Sequence, residues 1–570
     1  MALGAVTALL CLAQATATKT VAVDALPPNL LALPDGFAFG AATAAYQIEG
    51  AASEGGRGPS IWDAFSHEKG KTHDGDSGDV ADDHYHRYPE DIDLLAKAGI
   101  KHYRLSISWS RLMPDGRTLN DEGVAFYSAL LDLLVEKNIE PRVTLYHWDL
   151  PQALEDEYNG WLSPSIVEDF AAYAEKCFEL FGHHVKTWTT FNEPLTFVGG
   201  GYGTGVMAPG RCSDRSRCIA GDSETEPLLA AHNVLLAHAH AASRFRARFS
   251  KGYSIDMVNC GWMAWPLRDG SVDDMNAASS FMEAQWAWFL DPLVRGDYPP
   301  SLKARAPALP QFTIEEQTLL KGSVDMLGVN YYTSRYVAAA DAVYPAASVG
   351  DAAGIPALNG EYHLATTRSL SEGDPRIGVV GGSPWLYVAP DGLTDVLLWL
   401  QDRYHLPMAV TENGCDQPSG EDERDDVWRI DYLRSHIDGV ATAIQRGADV
   451  QAYYAWSLLD NFEWADGYSK RFGLVFVDYN TLTRTPKRSF AWYARLIHAH
   501  ASSSLLLVDD VAPGRDLKMV RAVSAVLLFL LCVMVVSRFL PKRRRLRAPR
   551  YIEISEVVTM PNVESGVEVF

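Results

Sequence analysis

The sequence predicts a closed parallel (β/α)8 TIM barrel with long loops, plus a single C-terminal transmembrane helix, and three observations point there. Eight short apolar or β-branched runs alternate with longer amphipathic stretches, as expected of parallel strands each returned by a helix. Polar and aromatic residues out of keeping with a buried strand gather at the C-terminal ends of those runs, the ends that a parallel barrel opens on one face. Near the C-terminus, Ala522–Ser537 (AVSAVLLFLLCVMVVS) carries no charge and is bounded by Arg521 and Arg538.

The candidate strands are Phe37–Ala42, His102–Ser108, Glu140–His147, Val185–Asn192, Tyr253–Trp262, Val324–Tyr332, Pro407–Glu412 and Val450–Ser457. Helical periodicity occupies Tyr88–Ala98, Val124–Lys137, Ser165–Phe181, Glu226–Phe249, Leu393–Tyr404 and Trp428–Arg446. An open doubly wound sheet shares this alternation, although no run is followed by a glycine-rich phosphate loop. The barrel spans residues 32–500, and its excess over the ~250 residues of a plain barrel falls in loops. Asp341–Pro384, rich in Gly, Ala, Ser and Pro, is one of these and an expected pocket wall.

The chain has 570 residues and a net charge of −22. Its body has no basic patch able to neutralise many phosphates, which excludes nucleic acid as a partner. Residues 1–17, MALGAVTALLCLAQATA, join an apolar stretch to a small-x-small cleavage pattern, Ala15-Thr16-Ala17, and read as a signal peptide without a basic start. Residues 501–521 read as a stalk, 522–540 as a membrane span and 541–570 as a cytoplasmic tail, oriented by the basic cluster KRRRLRAPR. The uncharged run falls short of the roughly 20 residues a bilayer core needs. Snorkelling arginines and Phe539-Leu540 supply the missing length; a buried helix is the alternative. The expected product is a type I single-pass membrane protein with a lumenal or extracellular body, although the chain carries no N-x-Ser/Thr sequon. Cys212 and Cys218 flank the polar loop RCSDRSRC and can close a small disulfide in an oxidising compartment. Cys177, Cys260 and Cys415 sit in or beside apolar runs, as buried thiols do, and no spacing suggests a metal site.

The residues at the strand ends span four hundred positions. Gln47 and Glu49 follow the first run, Arg104 lies within the second and Trp109 just past it, and His147-Trp148 follow the third. Asn192-Glu193 follow the fourth, Asn330-Tyr331-Tyr332 end the sixth, Glu412-Asn413 the seventh and Trp456 the eighth, with Glu463-Trp464 beyond. Singly, His147 is as well read as a core histidine and Trp456 as a packing residue. The two carboxylates of TFNEP and VTENG are harder to dismiss, because an ionised carboxylate is costly to bury without a partner. Across one pocket, Glu193 and Glu412 form the pair that acid-assisted glycoside cleavage requires, about 5 Å apart for covalent double displacement. Mutual repulsion disfavours double ionisation, so one of them keeps a proton near neutral pH.

Taken together, FAFGAATAAYQIEG, YRLSISWSR, YHWDLP, TFNEP, GVNYYTSR, VTENG and YYAWSLLDNFEWADGYSKRFG resemble family 1 of the glycoside hydrolases, the retaining β-glucosidases, from about Phe37 to Arg495. The resemblance implies a (β/α)8 fold, Glu193 as acid/base, Glu412 as nucleophile, Tyr332 hydrogen-bonded to that nucleophile and Arg104 beside it. It further implies that Gln47, His147, Asn192 and Glu463 hold the hydroxyls of the sugar, with Trp456 as platform and Trp464 alongside; Trp148, Asn330 and Phe472 complete the expected substrate-binding set. Relatives acting on 6-phosphorylated sugars hold the phosphate with a serine, a lysine and a tyrosine; Lys470 remains here, but Glu463 and Phe472 replace the other two, so an unphosphorylated sugar is expected, and the intact Glu193 favours an O-glycoside over a thioglycoside. The expected ligand is a small-molecule or oligosaccharide β-glycoside, and the chemistry needs neither metal nor organic cofactor. The predicted anchor resembles a lactase-like architecture. It also keeps a second reading in view, a klotho-like membrane receptor of weak or no catalytic power, which would have no need of both glutamates.

Overall fold

Eight parallel strands close on themselves in chain order: β1 (Ala38–Ala42), β2 (His102–Ser106), β3 (Glu140–Tyr146), β4 (Thr187–Asn192), β5 (Ser254–Cys260), β6 (Leu327–Asn330), β7 (Met408–Asn413) and β8 (Val450–Trp456). This computed structural model describes residues 24–340, 362–365, 377–418 and 420–508. Closure comes from β1 pairing with β8, with Ala42 opposite Trp456, and with β2, with Ala42 opposite Arg104. Every strand overlaps one of the eight apolar runs. Several stop earlier than the run because residues such as Ser108, His147 and Trp262 leave the ladder for the face where the strands end.

The helices outside the barrel follow from their apolar spacing. In Ser165–Phe181, Ile166, Phe170, Tyr173, Cys177 and Phe181 recur at three- and four-residue steps and are all buried, the stripe by which a helix docks on a sheet. The helix His84–Ala98 is stopped by Gly99, whose φ of 73° is the left-handed geometry glycine adopts without a Cβ penalty. The barrel interior is tied by an ion pair between Arg142 on β3 and Asp256 on β5, with Thr189 Oγ1 on β4 donating to Asp256 at 2.6 Å.

Two features position the face that matters. Strand register slips between Thr189 and Asn192 where β4 meets β5, and again between Val410 and Glu412 where β7 meets β6. Irregularities of this kind re-aim side chains at strand ends, and here they fall just before Glu193 and at Glu412. Beyond β8, the segment Leu459–Asn461 is anchored by Asp460, which takes Lys487 Nζ at 2.6 Å and Arg471 Nη1 at 2.9 Å. That anchor carries the following Glu463-Trp464.

Sequence periodicity missed a three-stranded sheet of Met263–Pro266, Ser334–Ala339 and Tyr362–Ala365, and a hairpin of Val475–Asp478 with Thr483–Pro486. Four of these five strands are four residues long, and two end in proline, too little for an alternating pattern to register. At the N-terminal side the body begins before residue 32: Leu30 is buried, and Asn29 N–H donates to Asp438 at 2.7 Å. At the other end the helix Arg488–Val508 runs through 501–508, the start of the expected stalk. Among the described residues no helix is long and apolar enough to cross a membrane. The expected signal peptide (1–17), span (522–540) and tail (541–570) lie outside the described residues, as does most of Asp341–Pro384.

Candidate active site

Glu193 follows β4 directly, with φ 50° and ψ 63°, and Pro194 opens a helix that runs to Tyr202. The left-handed turn, strained for a non-glycine residue, is pinned by Glu193 N–H donating to Val258 O at 2.9 Å. It turns the side chain of a strand-end residue into a cavity of about 330 Å³ at the C-terminal end of the barrel. Asn330 Nδ2 donates to Glu193 Oε1 at 2.6 Å, and Thr196 Oγ1 donates to Oε2 at 2.9 Å. Both partners are neutral. Burial, followed by the charge of Glu412, therefore prevails and pushes the Glu193 carboxyl up to about 7.

Glu412, at the end of β7, lines the same cavity in a different environment. Its Oε1 is ion-paired with Arg104 Nη1 and its Oε2 accepts from Tyr332 OH at 2.6 Å. Arg104 is fully buried and reaches back to Asn192 Oδ1 through Nη2 at 2.6 Å, and Asn330 Nδ2 also meets Asn192 Oδ1, at 3.1 Å. Thr411 Oγ1 donates to Asn330 Oδ1 at 2.7 Å, which fixes the orientation of that amide. The two carboxylates are thus joined by one continuous hydrogen-bonded chain across β2, β4, β6 and β7. Asn413, the other half of the VTENG end, is structural: it donates to Tyr331 O and Tyr432 OH and accepts from Tyr453 OH.

The remaining expected residues surround this pair. Asn192 Nδ2 donates to His147 Nε2 at 3.0 Å, so His147 carries its proton on Nδ1, which has no protein partner. Burial and the charge of Arg104 hold His147 well below the usual histidine range, and it faces the cavity neutral. Gln47 donates through Nε2 to Asn461 Oδ1 at 2.9 Å and Phe462 O at 3.0 Å and leaves Oε1 unpartnered. Half-buried Glu463 stands 3.4 Å from that amide nitrogen, and burial together with Asp466 raises its carboxyl well above the ordinary range. His147 and Glu463 line the cavity whereas Gln47 lies behind its wall, and His147 Nδ1 and Gln47 Oε1 are buried polar atoms that no protein group engages. Trp456 and Trp464 lie parallel to the His147 ring, at 6.0 and 5.9 Å between centroids, and Trp148 packs on Trp464 at 4.5 Å. Phe472 lines the cavity and meets Tyr332 edge-on at 6.2 Å.

Not every strand-end residue belongs to this group. Glu49 pairs with Arg111 at 2.7 Å and accepts from Tyr127 OH, and Trp109 is buried with its Nε1 on Gly116 O; both serve packing. Arg104 and Asn330 act on the carboxylates from behind the cavity wall. Cys212 and Cys218 form the disulfide, and Cys177 and Cys415 are buried thiols. Cys260, expected to be buried too, is half-buried at the end of β5 and lines the cavity. Sequence reasoning passed over Leu195 and Thr196, in the helix that Pro194 opens, and the outer wall residues Met207, Trp262 and Trp385, which lie outside helices and strands. Among the described residues no cluster of His, Cys, Asp and Glu is placed to hold a metal ion.

The raised carboxyl of Glu193 has a consequence for stability. Its value in the folded chain, about 7, exceeds the ordinary 4.5, so the folded state holds this proton more tightly. The stabilisation is complete below pH ~4.5 and is lost as pH rises through ~7, a change of about 3 kcal/mol. Glu193→Gln, which cannot ionise, should gain about that much relative to wild type between pH 4 and pH 8 in urea unfolding. Parallel pH dependences would refute the assignment.

A family model, glycosyl hydrolase family 1, matches residues 31–502. Beta-glucosidase 12 of Oryza sativa subsp. japonica is 45% identical over 493 residues, 83% of this chain and 93% of the relative, and beta-glucosidase 42 of Arabidopsis thaliana is 45% identical over 478 residues, 81% and 94%. Among solved structures, a rice Os3BGlu6 beta-glucosidase superposes with a TM-score of 0.77 at 42% identity, and a beta-glucosidase from the fungus Humicola insolens, in complex with glucose, with 0.77 at 38%; each match covers 83% of this chain and 99% of the other. Matched along nearly the whole described body, the chain belongs to glycosyl hydrolase family 1.

Proposed function

We propose that this chain hydrolyses β-O-glucosides by double displacement with retention at the anomeric carbon. The observation that carries the reading is the unequal environment of two carboxylates on one cavity: Glu412 held by a cation and a phenol, Glu193 by neutral donors with its carboxyl raised to about 7. Glu412 attacks the anomeric carbon while Glu193 transfers its proton to the departing oxygen, leaving a glycosyl ester and the free alcohol. Glu193, now ionised, takes a proton from water as that water attacks the same carbon, which frees Glu412 and restores the acid. His147, Gln47, Asn192 and Glu463 hold the sugar hydroxyls against the Trp456 platform, and the carboxyl of Glu463 disfavours a 6-phosphate. A receptor without catalysis would leave both glutamates and their shared network without a use, and no observation favours it.

A 2-deoxy-2-fluoro glucoside should label wild type at Glu412, and Glu412→Gln should abolish labelling and turnover; labelling elsewhere would sink the assignment. Because Glu193 must carry its proton, kcat/KM should fall as pH rises through ~7. Glu193→Gln should remove that limb and cost about 100- to 10,000-fold on alkyl glucosides, far less on activated aryl ones. Equal losses on both would exclude Glu193 as the acid.

For the chain as a whole, we propose a cleaved leader at 1–17, a stalk that follows the helix ending at Val508 and reaches 521, a single span at 522–540 and a cytosolic tail at 541–570, with the catalytic body lumenal or extracellular. The uncharged run and the basic cluster after it support this. Full-length chain should stay in the membrane pellet after alkaline carbonate washing, while a chain ending before Ala522 is released; release of the full-length chain would disprove the anchor.

A further inference from the structure

Lys470 keeps its place in the chain although a 6-phosphate is not expected, and its ammonium is committed elsewhere. It is half-buried, stands outside the cavity lining, and donates through Nζ to Gly382 O at 3.0 Å, with Asp416 Oδ2 at 3.8 Å. Asp416 lies three residues beyond β7 and is fully buried. Its Oδ1 accepts from Gly382 N–H at 2.9 Å and its Oδ2 from the Ser383 hydroxyl at 2.6 Å. A cation and a carboxylate thus grip the carbonyl and the amide of one glycine. The approach needs glycine, because a Cβ at Gly382 would lie 2.1 Å from Gln417 O and 2.8 Å from Asp416 Oδ2.

What is gripped is a tight turn over residues 381–386. Gly381 N–H donates to Leu386 O at 2.9 Å and Leu386 N–H to Ser383 O at 3.1 Å, with Val388 N–H on Val379 O at 2.8 Å at its base. Trp385 sits in this turn. Its O accepts from Arg335 Nη2 at 2.8 Å, and its ring meets Tyr332 edge-on, 6.0 Å between centroids. Tyr332 in turn donates to Glu412 Oε2 at 2.6 Å. Direct contacts therefore run from Lys470 through Gly382 and Trp385 to Tyr332 and Glu412, on the side of the carboxylate opposite Arg104 in this network. Without the ammonium, Asp416 would be a buried carboxylate held by neutral donors, and Gly382 O would lose its donor.

We infer that Lys470 is a positioning residue for the nucleophile: by clasping the 381–386 turn onto Asp416 it seats Trp385 against Tyr332, and so keeps the phenol on Glu412. The inference rests on the double-displacement reading above, in which Glu412 attacks. A carboxylate that forms a bond to the anomeric carbon must be held in a narrow range of positions, and small displacements are costly in rate. Arg104 fixes one oxygen from the barrel interior, and the clasp acts on the other from the loops.

The test follows the attack itself, as the rate and extent of labelling by a 2-deoxy-2-fluoro glucoside on the purified full-length chain. Lys470→Met should reach the same labelling stoichiometry as wild type with a rate constant about 10-fold lower. Lys470→Arg, which keeps a charged donor for Gly382 O and Asp416, should recover to within about 3-fold of wild type. In a Trp385→Ala background, Lys470→Met should cost less than about 2-fold more, because two residues acting through one set of contacts are not additive. Labelling of a reduced fraction of chains at the wild-type rate would make Lys470 a stability residue only, and an unchanged rate would give it no part in the reaction. Either result overturns the inference, as does an undiminished loss in the Trp385→Ala background, and all three leave the β-glucosidase reading standing. Wild type that takes no label overturns that reading itself.

Discussion

The buried guanidinium of Arg104 is the constraint around which the site is arranged. It lies on β2 with no exposed surface, pairs with Glu412 at the end of β7, and bonds Asn192 at the end of β4. A buried cation is tolerable only where acceptors surround it, so three strands far apart in sequence are held at one relative height. Asn330 extends the same chain to Glu193. The catalytic pair is therefore oriented by the barrel itself rather than by its loops, and loop variation can change what enters the cavity without disturbing the chemistry at its floor.

From that constraint the different behaviour of two like groups follows. Both carboxyls are buried, but they are partnered differently. Arg104 and Tyr332 are spent on Glu412, while Glu193 is given an amide, a hydroxyl and the repulsion of its neighbour. Placing the cation beside one carboxylate is thus what leaves the other able to hold a proton. His147 completes the pattern: burial and the same cation keep it neutral, with Nε2 accepting from Asn192 and the proton on Nδ1.

The barrel was legible in the sequence because β4 and its seven companions are continuous apolar runs separated by long amphipathic stretches, a pattern that few architectures share. Glu193 and Glu412 drew notice because two carboxylates at the ends of buried strands, both opening on one face, are costly to bury unless partnered or used. What stayed hidden was short, irregular or dependent on contact. The sheet built from Met263–Pro266 has no period to detect. Glu49 and Trp109 stand at strand ends, as the site residues do, and only their partners, Arg111, Tyr127 and Gly116, identify them as packing. Trp385 lies in a stretch with no repeating pattern, Trp262 ends an apolar run that does not say where its ring goes, and Arg335, which stacks on Trp262 and bonds Trp385 O, lies in a strand outside the barrel. No local rule relates three such positions.

The contact between Thr411 and Asn330 gives the acid's proton an address. With the Asn330 oxygen occupied by the Thr411 hydroxyl, its nitrogen must point at Glu193 Oε1, and an oxygen that already accepts an N–H is a poor home for a hydrogen of its own. The hydrogen therefore resides on Oε2, opposite Thr196. The Thr196 hydroxyl, which donates to Oε2 at 2.9 Å, can rotate, so the same atom is able to accept from the protonated carboxyl and to donate to the ionised one.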